Sequence, residues 1–185
     1  SLSLIDLPAL ESIEISDGAE EVGDLTVWNC AKLARFDVER PLRVESVWLE
    51  SNPVLSALPF LQESRELQAL RVQGNPMIDS LILPLLEAVH GPLRVVANDN
   101  LLELELTSLR SARPFAVVGN PRLPTASVEA IAAQLDEQSR PKVARNAGDT
   151  LGLRNPCPWP NDGECDEGSL CAQGTDLEDC NVLAR

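Results

Sequence analysis

The residues best able to do chemistry crowd into one short stretch. Cys157, Cys165, Cys171 and Cys180 share it with Asp162, Glu164, Asp166, Glu167, Asp176, Glu178 and Asp179, and no Lys or Arg lies between them. An even, clustered set of thiols reads as a disulfide framework, and hence as an oxidising compartment. Zinc is the other use of such a set, but zinc sites favour Cys pairs with two to four residues between them. The gaps here are seven, five and eight residues, with no His nearby, which favours disulfides. Seven carboxylates in so small a crosslinked unit repel one another unless a hard cation neutralises some of them. The plainer reading is a disulfide knot with a solvated acidic surface. The spacing does not fit an EF-hand loop, whose acids alternate ahead of its Gly.

Catalytic chemistry is thin. The single His90 stands before Gly91-Pro92. No Gly-x-Ser-x-Gly elbow, phosphate-cradling Gly-rich loop or His-Glu-x-x-His helix accompanies it. Acids abound, but the only pair that the repeat described below places on one face, Glu14 and Glu50, would sit two strands apart, so no glycosidase-like pair is positioned. A non-enzymatic protein is expected.

The elements that position everything else come from a repeat. An apolar-x-apolar-x-x-(Asn/Cys)-x-x-apolar block recurs as Leu25-x-Val27-x-x-Cys30-x-x-Leu33 and Val47-x-Leu49-x-x-Asn52-x-x-Leu55. It returns as Leu70-x-Val72-x-x-Asn75-x-x-Ile78, Leu93-x-Val95-x-x-Asn98-x-x-Leu101 and Phe115-x-Val117-x-x-Asn120-x-x-Leu123. The Asn/Cys positions advance by 22, 23, 23 and 22 residues. Alternating apolar residues make a short strand with one buried face. An Asn or Cys in the bend after it can satisfy backbone groups that water cannot reach. One coil cannot bury its own apolar face, whereas a stack about 4.8 Å apart does. The stretch Leu10-x-x-Ile13-x-Ile15-x-x-Gly18 reads as a degenerate first coil, a short cap.

On these residues the chain resembles the leucine-rich-repeat family, or its relative the receptor L domain, over residues 10–135. The expected fold is an α/β solenoid. It has a short parallel β-sheet of about five or six coils, irregular or helical return segments, and a small disulfide-rich C-terminal module. The expected divisions are a solenoid over residues 1–137, a connector over 138–156 containing Pro141, Gly148 and Gly152, and the acidic module over 157–185. Among the returns, Thr125 is the expected N-cap of a helix carrying Val128, Ile131 and Leu135. Ile78–Val89 reads as a helix kinked or broken at Pro84. Ser56–Gln62, with Pro59, has room for only a turn or two. Cys30, in a slot that Asn fills elsewhere, reads as a buried structural thiol.

Residues between the core-facing pairs point to the concave face. One column reads Glu14, Thr26, Trp48, Arg71, Arg94, Ala116, and its neighbour Ser16, Trp28, Glu50, Gln73, Val96, Val118. Trp and Arg are enriched at binding hot spots, and this chain has three Trp and no Tyr. Trp28, Trp48, Glu50, Arg71, Gln73 and Arg94 are therefore the candidate ligand-binding residues. The competing readings are cover by a terminal segment of the same chain, Trp residues that merely cap a small sheet, and a homodimer contact.

The C-terminal stretch resembles the Notch-type cysteine-rich repeat and the Asp-Gly-Glu-Cys-Asp segments of bacterial exported proteins. The matching pieces are Asp162-Gly163-Glu164-Cys165-Asp166 and Gly174-Thr175-Asp176-Leu177-Glu178-Asp179-Cys180. The resemblance implies Cys165–Cys180 and Cys157–Cys171 pairs, and calcium held by Asp162, Asp176 and Asp179. The departures are four cysteines where the Notch repeat has six, and Asp162 where it has Asn.

Net charge sets the partners. With 29 acids against 15 bases the chain carries −14, which opposes nucleic acid and anionic membrane surfaces. No apolar run is long enough to span a bilayer. The sequence opens directly in patterned residues, Leu2, Leu4 and Leu7, which reads as a processed or trimmed chain. Arg-rich, Lys-poor usage points to a GC-rich bacterial genome. The expected function is a secreted or cell-surface module that recognises a protein or glycan. The alternative is a structural or assembly unit of a surface protein.

Overall fold

The computed structural model describes residues 1–15, 21–38, 42–136, 139, 141–144, 146 and 147. In chain order the first strands are β1 (Leu2–Ile5), β2 (Ser12–Ile15), β3 (Glu21–Trp28), β4 (Arg35–Val38) and β5 (Arg43–Glu50). Then come β6 (Glu66–Leu67), β7 (Ala69–Gln73), β8 (Ser80–Ile82), β9 (Ala88–Val89) and β10 (Leu93–Val96). The last are β11 (Glu103–Glu105), β12 (Ser111–Ala112), β13 (Phe115–Val118), helix α1 (Thr125–Ala133) and β14 (Lys142–Ala144).

The chain winds as a parallel β-solenoid. A seven-stranded sheet runs in the order β1-β3-β5-β7-β10-β13-β14, so every neighbour in it is one coil away. Smaller parallel sheets pair β2 with β4, β8 with β11, and β9 with both β6 and β12. The alternation proposed for each block sets the register: Val47, Leu70 and Leu93 align, as do Leu49, Val72 and Val95. All six are buried in one continuous core. Phe36 and Phe60 add a ring contact at 4.6 Å between centroids.

The polar bends stack as a ladder, and its geometry explains the choice of Asn. The Oδ1 of Asn75 accepts the backbone N–H of Asn52 at 3.1 Å, while its Nδ2 donates to the Leu49 carbonyl at 2.8 Å. Asn98 and Asn120 repeat both bonds one and two coils on. An amide has both an acceptor and donors on a short stem, so one buried side chain satisfies a donor and an acceptor of the coil before it. Cys30 ends the series: its N–H donates to Asn52 Oδ1 at 3.1 Å, and its own Sγ makes only long contacts, 3.6 Å, to the Leu4 and Trp28 carbonyls. It is fully buried and unoxidised, as its slot implies.

Just before each ladder slot the backbone turns through the left-handed region. Asp6, Asn29, Ser51, Gly74, Ala97 and Gly119 all have φ between 51° and 67°. The N–H groups of Asp6, Asn29, Ser51, Gly74 and Ala97 each bond to the next strand's carbonyl, as Ser51 does to Gln73 and Ala97 to Val118. The conformation is thus demanded by pairing, and Ser51 and Ala97 adopt it without the freedom of Gly.

Four expectations change. First, Ile13 and Ile15 do not form a coil of their own: they lie in β2, a return strand paired with β4. The first coil's main strand is β1, with Leu2 opposite Leu25 and Leu4 opposite Val27. Its bend carries Leu7 where later coils have Asn, and that substitution hides it from a motif search. Second, Ile78–Val89 is not helical. It contributes β8 and β9, strands of three and two residues paired with the same leg of neighbouring coils. Third, α1 is the lone α-helix among the described residues, so β returns replace the α/β layout. The Ser56–Gln62 stretch is held to a 3₁₀ turn at Pro59–Leu61. Thr125 is the first residue of α1, not its cap; Pro124 occupies the cap position with no side-chain bond. Fourth, the sheet continues into the segment read as connector. β14 pairs with β13, and Asn146 extends the ladder, accepting the Asn120 N–H at 3.1 Å and donating to Val117 at 2.9 Å.

The long step from Asn120 to Asn146 accommodates α1, and a polar knot secures the passage to β14. Buried Ser139 donates its hydroxyl to Asp136 at 2.6 Å and accepts the Ala112 N–H at 3.1 Å. Arg113 donates to the other Asp136 oxygen at 2.9 Å. The Ser139 bond, followed by Arg113, holds the Asp136 carboxyl below its ordinary range.

Candidate binding face

The outward side chains of the seven-stranded sheet form two columns fixed by register. The first is Ser3, Thr26, Trp48, Arg71, Arg94, Ala116 and Lys142. The second is Ile5, Trp28, Glu50, Gln73, Val96 and Val118. Ser3 and Ile5 occupy the places expected for Glu14 and Ser16. Glu14 sits on β2 opposite Asp37, away from this face.

Trp28 and Trp48 are 45% and 43% exposed, and Ile5, in register with Trp28, is 43% exposed. Together they form an apolar shelf on β1, β3 and β5, with Trp28 diagonal to Trp48 as the register requires. Sequence reasoning missed Ile5. Its signal was the Leu2-x-Leu4 alternation, which matches the later blocks in all but the polar bend.

At the edge of the shelf Arg71 lies over the Trp48 ring, its Cζ 5.2 Å from the centroid. The same guanidinium is 3.9 Å from Glu50 Oε2, so the cation is shared between a π face and a carboxylate. At that distance the ion pair is weak, and its work is to aim the guanidinium. Gln73, in register with Glu50, is half-buried. Trp28, Trp48, Glu50, Arg71 and Gln73 are therefore brought together as expected.

Arg94 departs from expectation. It is 6% exposed, buried with Val96, Ala116 and Val118 on the same side of the sheet, and so it is not presented as an open cationic site. The face thus divides into an open half on β1, β3 and β5 and a covered half on β10 and β13, with β7 between them.

Among the described residues no other cluster competes. His90 Nε2, just after β9, lies 3.3 Å from Glu66 Oε2, both side chains being exposed. A groove lined by Leu42, Arg43, Val44 and Glu63–Glu66 has mixed polarity and opposite charges that offset. Among the described residues no group of His, Cys, Asp and Glu is placed to hold a metal, and no helix is long and apolar enough to cross a membrane. The expected metal ligands Asp162, Asp176 and Asp179, and the cysteines 157, 165, 171 and 180, lie outside the described residues.

No family model matches the sequence, no curated protein matches it, and no solved structure matches the fold.

Proposed function

We propose that the protein is a secreted or cell-surface recognition module of the leucine-rich-repeat type that binds a glycan or a protein segment on the Ile5–Trp28–Trp48 shelf. One observation carries the reading: two tryptophans stand out from a rigid parallel sheet, with a guanidinium already stacked on one of them. Planar aromatic and aliphatic surface suits the apolar face of a sugar ring or an aromatic side chain. Arg71, held by Glu50, supplies a directed donor for a carboxylate or hydroxyl. Because the scaffold is stacked β-structure, little ordering opposes binding. The net charge of −14 supports ligands other than nucleic acid. In the same reading residues 157–185 form a disulfide-bonded cap, with calcium on Asp162, Asp176 and Asp179. It depends on the acid count and on Cys165–Cys180 and Cys157–Cys171 pairing.

The test is a glycan and protein binding screen on the full chain, run with calcium and with EDTA and repeated on Trp48→Ala and Arg71→Ala. A ligand of this shelf loses roughly 10- to 100-fold in affinity to Trp48→Ala and less to Arg71→Ala. Undiminished binding by both variants overturns the assignment. The calcium reading requires that EDTA lower the melting temperature and that added calcium restore it.

A further inference from the structure

The two exposed tryptophans of the open half have different neighbours. Trp48 has Arg71 over its ring, with the Cζ 5.2 Å from the centroid, and the same guanidinium reaches Glu50 Oε2 at 3.9 Å. Trp28 is as exposed, at 45%. Its partners in register are Ile5 on β1 and Glu50 on β5, and neither is a cation. Asp6 closes the same end of the shelf. Its N–H bonds to the Trp28 carbonyl at 3.0 Å, and its Oδ1 accepts the Asn29 side-chain amide at 2.7 Å. Trp28 therefore stands between a carboxylate of the coil before it and a carboxylate of the coil after it. Residues 1–15, which make the first coil, hold Asp6, Glu11 and Glu14 and no Lys or Arg.

We propose that Trp28 is the seat for an arginine side chain of a partner, so that the ligand of this face is a basic protein segment. The inference rests on the shelf reading and narrows it from a glycan or a protein to one chemistry. The chain supplies its own precedent: Arg71, Trp48 and Glu50 show how this sheet holds a guanidinium, on a ring face and beside a carboxylate. Trp28 offers a second seat of the same kind, sharing Glu50 and adding Asp6. An indole face is electron-rich, and a guanidinium can lie flat on it while its edge N–H groups donate to carboxylates. Asp6 and Glu50 sit on the coils one strand spacing, about 4.8 Å, to either side, so both act on a charge over Trp28 within a Debye length of about 8 Å. A neutral sugar would use the apolar surface and leave both carboxylates without a counter-charge, and an acidic segment would be repelled by them. The net charge of −14 adds long-range attraction for a basic partner.

The test is calorimetric titration of the full chain with three short blocked peptides. One alternates arginine with threonine, one has citrulline, the neutral isostere, in place of arginine, and one has glutamate there. The arginine peptide is expected to bind at least about 10-fold more tightly than the other two. Trp28→Ala should lower its affinity about 10-fold, whereas Trp28→Phe keeps a ring face and most of the binding. Asp6→Asn and Glu50→Gln should each cost about 3-fold, more than Glu103→Gln, an exposed acid on β11 in a different sheet that controls for bulk charge. The proposal is overturned if the arginine peptide does not bind, if the citrulline peptide binds equally well, or if Asp6→Asn and Glu50→Gln do no more than Glu103→Gln. The two readings fail separately. A glycan or other ligand that loses affinity to Trp48→Ala while the arginine peptide ignores Trp28→Ala keeps the shelf and removes the arginine seat. Indifference of every ligand to Trp48→Ala and Trp28→Ala removes the shelf itself.

Discussion

The two halves of the seven-stranded sheet share one backbone plan and differ in what stands on it. On β1, β3 and β5 the outward columns hold Ile5, Trp28 and Trp48, open to solvent; on β10 and β13 they hold Arg94, Val96, Ala116 and Val118, closed off. Parallel pairing and register are the same on both sides of β7. A repeat therefore fixes where side chains point without fixing which of them a ligand can reach.

The comparison is broken most directly by placing the same charge on each half. Val118→Asp is expected to destabilise by about 3 kcal/mol or more, because it strands a carboxylate in a dry contact. Ser3→Asp, in the open half, is expected to stay within about 0.5 kcal/mol. Urea unfolding midpoints decide the matter, and equal effects would abolish the distinction. The ladder gives a second contrast. Asn75→Ala leaves the Asn52 N–H buried without its acceptor and removes a donor from the Leu49 carbonyl, an expected loss of about 3 kcal/mol. Cys30→Ala removes only the long Sγ contacts and a small volume, about 1 kcal/mol. Smaller still are the left-handed bends. Ala97→Gly is expected to raise stability by roughly 0.5–1 kcal/mol and Gly119→Ala to lower it by about as much, since no steric contact but only φ stands in the way.

The least effect belongs to Asp136. Its carboxyl is held below the ordinary value in the folded state, so its contribution is present above the unfolded pKa and is lost as pH falls through the folded one. Asp136→Asn should therefore lower stability near neutral pH and make little difference under strong acid. Midpoints at the two pH values measure this, and a pH-independent difference would refute the linkage.

Much of this fold was legible. Asn52, Asn75, Asn98 and Asn120 could be read because one side chain must meet a donor and an acceptor inside a bend, and few residues can replace it. Once those four were aligned, the register of Trp28, Trp48, Arg71 and Gln73 followed. What failed had physical causes. The first coil carries Leu7 in the bend, so the signal was missing although the strand was not. Strands β8 and β9 are too short for an alternating pattern to stand out from helical spacing, and pairing with the adjacent coil decides them. Asn146 escaped because α1 stretches the step between ladder residues. The burial of Arg94 was beyond reach, since nothing in its own repeat records what lies above it.

Each of Asn75, Asn98 and Asn120 accepts the bend N–H of the coil before it on its Oδ1, so every bend's backbone donor is answered from the coil that follows. The stack is consequently polar in time as well as in space. A ribosome delivering this chain from its N-terminus always leaves the newest bend with an unanswered backbone donor until roughly one more turn has emerged. Growth is thus a series of deferred closures, and Asn146 supplies the one for the bend at Asn120.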